Sequence, residues 1–423
     1  MLAIFGAKAM IRKADVCVIG GGPAGIEAAK EARCYGAKKV IILEREKELG
    51  GILNQCIHVG FGQKLFKEEL TGPEYAQKIV QDLHGDIEVL NDTYVLRVDS
   101  NLLVTAISQN LGLVEIQAGA IVLAMGCREK PRGALEIGGA RPSGIFTAGT
   151  AQRLLKLYGK LVGKNIVIMG TYDLGLIMAR RFTYEGAKVI MVVESRSYYM
   201  GLSRNVAECI NDLNIPMLLN TKVIEVLGKE RLQAVKIAPV DQYGNINYEQ
   251  SRIVECDTLV LSAGLVPENE LAQNAGVVIN FASGGAVTDQ YCQTSVKGIY
   301  ACGNVLYVHD LADQVTDEAK IAGLGAARYA MDGFYHNKPK FLVKSAGYTK
   351  YTMPCVIQKT KDPIKLYVRV KQALKPAFIS VKCGGREIYH KNYGILIHGE
   401  MQPIILNGKD IDGDIEVLSG ERT

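Results

Sequence analysis

The chain repeats itself at an interval of 150 residues. Val16-Cys-Val-Ile-Gly20-Gly21-Gly22-Pro23-Ala24-Gly25 comes back as Ile166-Val-Ile-Met-Gly170-Thr-Tyr172-Asp-Leu-Gly175. Each copy runs an apolar stretch of strand length into a glycine turn, then through a helical stretch and Gly36-Ala37 or Gly186-Ala187 into a second apolar strand. That strand ends in Glu44 or Glu194, in both copies 19 residues after the last glycine. Strand, tight turn, helix and strand at this spacing fold together as a parallel βαβ unit. Two units of one design set the fold class as α/β.

The copies stay alike further on. Residues 87–117 alternate and turn like a β-meander before Ile121-Val-Leu-Ala124-Met-Gly126, and residues 222–255 read as a hairpin around Asp241–Asn245 before Leu259-Val-Leu-Ser-Ala-Gly264. After Gly298 a further strand-to-turn stands at Ile299-Tyr-Ala-Cys-Gly303-Asn304, and the pattern then predicts a helix from about Asp317 to Met331 with Thr316 as its N-cap. Residues 350–423 show short alternating runs, turn residues and no helical period, which predicts a small β-sandwich.

Composition narrows the classes. Gly is 45 of 423 residues without a low-complexity tract, so the excess belongs in turns and close-approach loops. No apolar run nears the roughly 18–20 residues that cross a bilayer, so no transmembrane segment is predicted, although peripheral membrane contact stays open. The ten cysteines show no CxxC pair and no metal-type cluster, which argues against a disulfide framework, a zinc ribbon, an iron–sulfur site or any other metal centre. Leu2–Met10 is apolar, but no basic residue precedes it and charge follows it at once, the reverse of a secretory signal. The chain therefore reads as cytoplasmic, with Met10 as an alternative start. Net charge is +5, yet residues 336–391 carry thirteen Lys/Arg against only Asp362 and Glu387. Because Lys365-Leu-Tyr-Val-Arg369-Val-Lys371 alternates, this block reads as a solvated strand face and not as a nucleic-acid surface, leaving an acidic partner subunit as the other reading.

Gly20-x-Gly22-x-x-Gly25, behind a strand and ahead of a helix with an acid 19 residues on, has every part of a dinucleotide fingerprint. Gly20 makes the tight turn, Gly22 lets backbone N–H groups reach a pyrophosphate, Gly25 lets the helix pack on the strand, and Glu44 accepts from a ribose hydroxyl. In the second copy Gly170, Gly175 and Glu194 keep their places, but the middle glycine is Tyr172. A phenol there either hinders a pyrophosphate or swings aside to stack. Glu194 favours an unphosphorylated ribose, while Arg196 two residues on weakens that preference.

Taken with the glycine pair Gly50-Gly51, these motifs resemble the two-dinucleotide-domain flavoproteins of the pyridine nucleotide–disulfide oxidoreductase superfamily over about residues 14–335. More narrowly, Gly51-Ile52-Leu-Asn-Gln-Cys56-Ile-His58 and Gly303-Asn304-Val-Leu-Tyr-Val-His309-Asp310 resemble its NAD(FAD)-dependent dehydrogenase branch. That branch is associated with anaerobic glycerol-3-phosphate dehydrogenase and is related to FAD subunits of sarcosine oxidase, opine and proline dehydrogenases and hydrogen cyanide synthase. The resemblance implies FAD on the first unit, held by Gly20, Gly22, Pro23, Ala24, Gly25, Glu44, Arg45, Gly51, Ile52, Ala124, Gly126, Gly303, Asn304 and Val315. Asn304 stands where the superfamily usually has Asp and can still bond a ribitol hydroxyl. NAD(H) would use Gly170, Tyr172, Gly175 and Glu194. The implied domains are an FAD-binding domain of residues 14–152 and 259–335, an inserted NAD-binding-like domain of 153–258, and a C-terminal β domain of 336–423.

Disulfide reductases of the superfamily carry Cys-x4-Cys just after the position of Gly51, whereas only Cys56 stands here, so dithiol exchange is excluded for this segment. Cys56 reads either as a single thiolate beside the flavin or as an inert buried thiol. His58 and His309 are the other catalytic candidates. The sequence thus points to an FAD-dependent oxidoreductase passing hydride between NAD(H) and flavin, with a small-molecule redox substrate and a quinone, oxygen or partner dehydrogenase subunit completing the circuit. The rivals are an FAD-bearing subunit that binds no NAD and a flavin-binding assembly or sensor protein without turnover.

Overall fold

A computed structural model describes residues 10–422, so the apolar stretch at 2–9 lies outside the described residues. The chain divides into two compact units, one comprising the residues up to Asn54, Val59–Cys127 and everything from Pro267, the other Gln55–His58 and Arg128–Val266.

The first unit opens with β1 (Met10–Ile19), α1 (Pro23–Tyr35) and β2 (Val40–Leu43), followed by α2 (Gly72–Gln81) and the strands β3 (Glu88–Leu90), β4 (Thr93–Val98), β5 (Leu103–Ser108) and β6 (Gly112–Leu123). Their order in the sheet is β3-β2-β1-β6-β5-β4. β1 runs parallel to β2 and β6, and β4, β5 and β6 form the antiparallel meander. Val16 and Val18 face α1, in one cluster with Ala24, Ala28, Ala29 and Ala32, whereas Cys17 and Ile19 face the opposite side with Ile41, Leu43, Ile121 and Leu123. Period-two alternation with both faces covered turns the strand into an unbroken apolar run, and makes Cys17 a core residue.

The second unit contains β7 (Ile145–Thr147), α3 (Ala148–Tyr158), β8 (Asn165–Met169), α4 (Asp173–Tyr184), β9 (Lys188–Val193) and β10 (Met217–Leu218). An antiparallel layer of β11 (Thr221–Gly228), β12 (Leu232–Pro239) and β13 (Arg252–Glu255) follows, then β14 (Thr258–Leu261). The parallel sheet has the order β7-β14-β8-β9-β10. Ile166 and Ile168 pack under α3 and α4 while Val167 and Met169 pack on the antiparallel layer. Because β14 sits between β7 and β8, both flanks of the predicted insert belong to this sheet, and the unit runs from Arg128 to Val266 where the sequence placed 153–258. The turn after β12 is held by Asp241, whose carboxylate accepts from the N–H groups of Tyr243 and Asn245, both at 2.8 Å.

The chain then returns to the first unit with β15 (Ile299–Ala301), parallel to β6, and α5 (Ala312–Asp332). The helix starts at Ala312, with Leu311 as its extended N-cap, and Thr316 lies inside it. There the Thr316 hydroxyl donates to the Asp313 carbonyl at 2.9 Å, the back-bond that threonine makes within helices. The module beyond comprises β16 (Lys340–Gly347), β17 (Thr349–Met353), β18 (Val356–Gln358), β19 (Pro363–Val370), β20 (Ala377–Cys383), β21 (Arg386–Tyr393), β22 (Gln402–Asn407) and β23 (Ile415–Glu421). Two sheets, β18-β16-β23-β20-β21 and β17-β19-β22, share one apolar core. On β19, Lys365 is exposed while Leu366 and Val368 are buried, as alternation requires. Arg369 breaks the expected solvated face: it is only 8% exposed.

Helices α1 and α5 approach closely because their contact is built from small residues. A Cβ on Gly323 would lie 2.2 Å from the Ala28 carbonyl oxygen. Gly323→Ala is therefore expected to cost about 1–3 kcal/mol by overpacking, against the roughly 1 kcal/mol gain that helix propensity alone predicts. Urea denaturation decides the sign.

Candidate functional site

The first elbow exists because backbone passes backbone with no side chain between. Gly20 has φ +104°, and a Cβ there would lie 2.4 Å from the Ala124 carbonyl oxygen; a Cβ on Gly25 would lie 1.7 Å from that of Gly20. Gly50 N–H donates to the Gly21 carbonyl at 2.8 Å and brings the second glycine loop alongside. There Gly51, with φ +59°, would place a Cβ 3.0 Å from the Gly22 Cα. Gly22 itself has ordinary extended backbone, and a Cβ on it would meet only the Gly51 Cα, at 4.0 Å. It opens a trough walled by main chain at the start of α1.

Gly22 caps α1 without any side-chain hydrogen bond, Pro23 takes the first helical position, and no acid stands in the first turn. Such a terminus offers N–H donors and a positive dipole end to an anion. Glu44 is 5% exposed at the end of β2; its Oε2 accepts from Gly21 N–H at 2.6 Å and its Oε1 from Glu46 N–H at 2.8 Å. Its carboxylate is thereby fixed against the elbow. These residues fit the diphosphate and ribose of a dinucleotide. Arg45 pairs with Glu268 at 3.2 Å, Ile52 is exposed, and Gly126, with φ +75°, has open space where a Cβ would point.

A second turn of the same unit closes on this elbow. At Gly303, φ is +78°, and a Cβ would lie 2.8 Å from Ala24 Cβ and 3.3 Å from Val315 Cγ1, so three predicted cofactor residues meet there. Gly303 N–H donates to Glu318 Oε1 at 2.7 Å. Asn304 is tied into the same turn. Its Oδ1 accepts from His309 N–H at 3.0 Å and lies 3.1 Å from His309 Nδ1, while its Nδ2 lies 3.6 Å from Cys127 Sγ. His309 Nδ1 also lies 3.1 Å from the Tyr307 carbonyl oxygen. Facing two acceptors, Nδ1 must carry the proton. His309 Nε2 lies 3.5 Å from Glu318 Oε1, with the side chain 1% exposed and stacked on Tyr307 at 3.9 Å. Burial, with Glu318 nearby, holds the Tyr307 hydroxyl well above its ordinary value. Glu318 was missed in the sequence, where nothing but its place directly before the small residues Ala319, Ala322 and Gly323 of α5 sets it apart.

The second elbow repeats the geometry with different contents. Gly170 has φ +95°, and Cβ atoms on Gly170 and Gly175 would collide with Ser262 at 2.0 and 2.5 Å. Tyr172 lies against Gly264, whose Cβ would stand 3.2 Å from the phenol oxygen. Asp173 occupies the first turn of α4 and accepts from Leu202 N–H at 2.8 Å and Asn205 Nδ2 at 2.6 Å. Glu194, 2% exposed, accepts from Thr171 Oγ1 at 2.7 Å and, on its other oxygen, from Arg196 N–H at 3.0 Å and Nη1 at 3.1 Å.

The three catalytic candidates fall in different units: Cys56 and His58 in the second, His309 in the first. Burial pushes the Cys56 thiol up to about 12. Burial first, and then Arg180, Lys156 and Arg204, hold His58 below its usual value, which keeps it neutral at pH 7. No helix among the described residues is long and apolar enough to cross a membrane.

The profile of the pyridine nucleotide-disulphide oxidoreductases matches residues 14–330, three quarters of the chain. The chain is similar to hydrogen cyanide synthase subunit HcnB of Pseudomonas protegens, 23% identical over 68% of this chain and 65% of the relative. It is also similar to an NADH oxidase of Methanocaldococcus jannaschii, 25% identical over 73% of this chain and 66% of the relative. It thus spans just under two thirds of the length of either relative. Among solved structures, thioredoxin reductase of T. acidophilum shares the fold, with a TM-score of 0.62 at 22% identity over 76% of this chain and 99% of that one.

Gly22→Ala separates cradle from fold. The chain itself has room for the methyl, so folding stability should change by no more than about 0.5 kcal/mol, while FAD affinity should fall about tenfold or more, near 1.4 kcal/mol. Gly25→Ala should instead lower the melting temperature outright. Melting curves beside FAD titrations of both variants check the distinction.

Proposed function

The chain belongs to the pyridine nucleotide-disulphide oxidoreductase family, and from that premise we propose that it is an FAD-dependent oxidoreductase exchanging hydride with NAD(H) without a dithiol. Electrons then pass to or from a quinone, oxygen or a partner subunit. The observation that carries this reading is the main-chain trough between Gly22 and Gly51, with Glu44 fixed beside it. FAD, when bound, supplies the two-electron chemistry. The protein's part is to hold it: the α1 terminus takes the diphosphate, Glu44 a ribose hydroxyl, and the Gly303–His309 turn the far side of the trough. Within this proposal the chain sits in the cytoplasm. The resemblance of its Gly51–His58 and Gly303–Asp310 motifs supports, within the same proposal, a kinship with the branch associated with glycerol-3-phosphate dehydrogenase.

One set of contacts favours a second reading. Asp173 puts a negative charge in the first turn of α4, Tyr172 fills the middle-glycine place, and Arg196 shares the Glu194 carboxylate. A site so occupied suits an FAD subunit fed by a partner, and the relative HcnB is itself a subunit.

An anaerobic NADH titration separates the two. Stoichiometric bleaching of the visible flavin band is expected; bleaching only after addition of a partner and its substrate would favour the second reading. Tyr172→Gly should tighten NADH about tenfold, near 1.4 kcal/mol, if the ring must swing aside, and an unchanged dissociation constant would remove the steric account.

A further inference from the structure

We propose that the C-terminal β module is part of the flavin site, and that Arg369 is the positioning residue through which it fixes the Gly303–His309 turn. The inference rests on the reading that the first unit holds FAD.

Arg369 stands on β19, buried against the loop that precedes α5. Its Nη2 donates to Asp310 Oδ1 at 2.8 Å and to the Val308 carbonyl at 3.1 Å, and its Nη1 donates to the His398 carbonyl at 3.2 Å. Asp310 Oδ2 accepts from Met401 N–H at 2.7 Å. The carboxylate is therefore gripped by two separate segments of the module, and the guanidinium spans both sides of the contact. An arginine is suited to this because its fork presents several donors in one plane. Apolar packing runs the same way: Tyr351, Met353 and Met401 share one cluster with Val305, Leu306 and Tyr307 and with Ile19, Ile121 and Leu123 of the central sheet.

What the grip holds is the turn that closes the trough. Asp310 follows His309 directly, and His309 holds Asn304 through its backbone N–H and Nδ1. Gly303, one residue earlier, rests on Ala24 at the start of α1 and is tied to Glu318. A shift of the 307–310 loop is thus passed to the main chain that rests on Ala24, in the first turn of α1. Removing one partner of this part-buried pair leaves the other charge uncompensated, so the loop would move to solvate Asp310.

The test uses the full chain, stripped of FAD and titrated with FAD while flavin fluorescence, visible absorption and midpoint potential are recorded. Arg369→Met should raise the FAD dissociation constant tenfold or more and displace the absorption envelope and the potential. Arg369→Lys should recover part of each, and the isosteric Asp310→Asn should reproduce the spectral change with the fold intact. Ile379→Ala, a cavity in the module's own core, should lower the melting temperature yet leave FAD affinity within twofold. The proposal is overturned if Arg369→Met and Asp310→Asn both bind FAD within twofold of the native chain with unchanged spectra. Equal loss of FAD in Ile379→Ala would also overturn it, since the module would then act only through overall stability. A native chain that takes no FAD would overturn the flavin reading itself, a result seen before any variant is compared.

Discussion

Three turns cross at the first elbow, two of them with main chain against main chain and no Cβ between, the third with Gly303 against the Ala24 methyl. Gly25 sits over Gly20, Gly51 over Gly22, and Gly303 against Ala24, at separations that a methyl group would close. The sterics act in two ways. Where a Cβ would strike backbone, as at Gly20 and Gly25, glycine is required for the fold; where it would enter open space, as at Gly22, glycine leaves room for something other than the chain. The parallel sheet and its small-residue helices α1 and α5 bring the turns to one point, and Glu44 at the end of β2 is fixed to the same elbow.

The two copies of the unit show how one scaffold is put to different use. Both retain the strained first glycine and the buried acid. In the first copy the helix terminus carries no side-chain cap and no acid, so its dipole is left to an external anion. In the second, Asp173 meets that dipole from within and is tied down by Leu202 and Asn205. Glu194 likewise takes Thr171 and Arg196 as partners where, among the described residues, Glu44 takes the backbone N–H groups of Gly21 and Glu46. The fold was duplicated more faithfully than the charge arrangement.

Much of this was legible in the residues. The repeat and the strands follow from local pattern, and the glycine turns from backbone conformations such as φ +104° at Gly20 that residue type reports without its distant neighbours. Side chains whose partners lie far along the chain were not legible. Alternation placed Arg369 on a solvated face because Asp310, 59 residues away, gives no local sign of its approach. Nor was the contact of Asn304 with His309 legible, where the chain folds back within five residues and the Asn304 oxygen accepts from the His309 N–H. Thr316 was read as a cap, yet a threonine inside a helix uses the same hydroxyl to bond backwards, so residue type cannot separate the two. The carboxy-terminal module offered no motif, since its link to the site is an ion pair and a shared apolar cluster.

The central claim is that the elbow near the amino terminus holds the diphosphate of FAD, and its most direct test is the FAD content of the purified full chain after reconstitution with excess FAD. The account predicts one tightly held FAD per chain, released only on denaturation. A folded chain that remains colourless after reconstitution would contradict it.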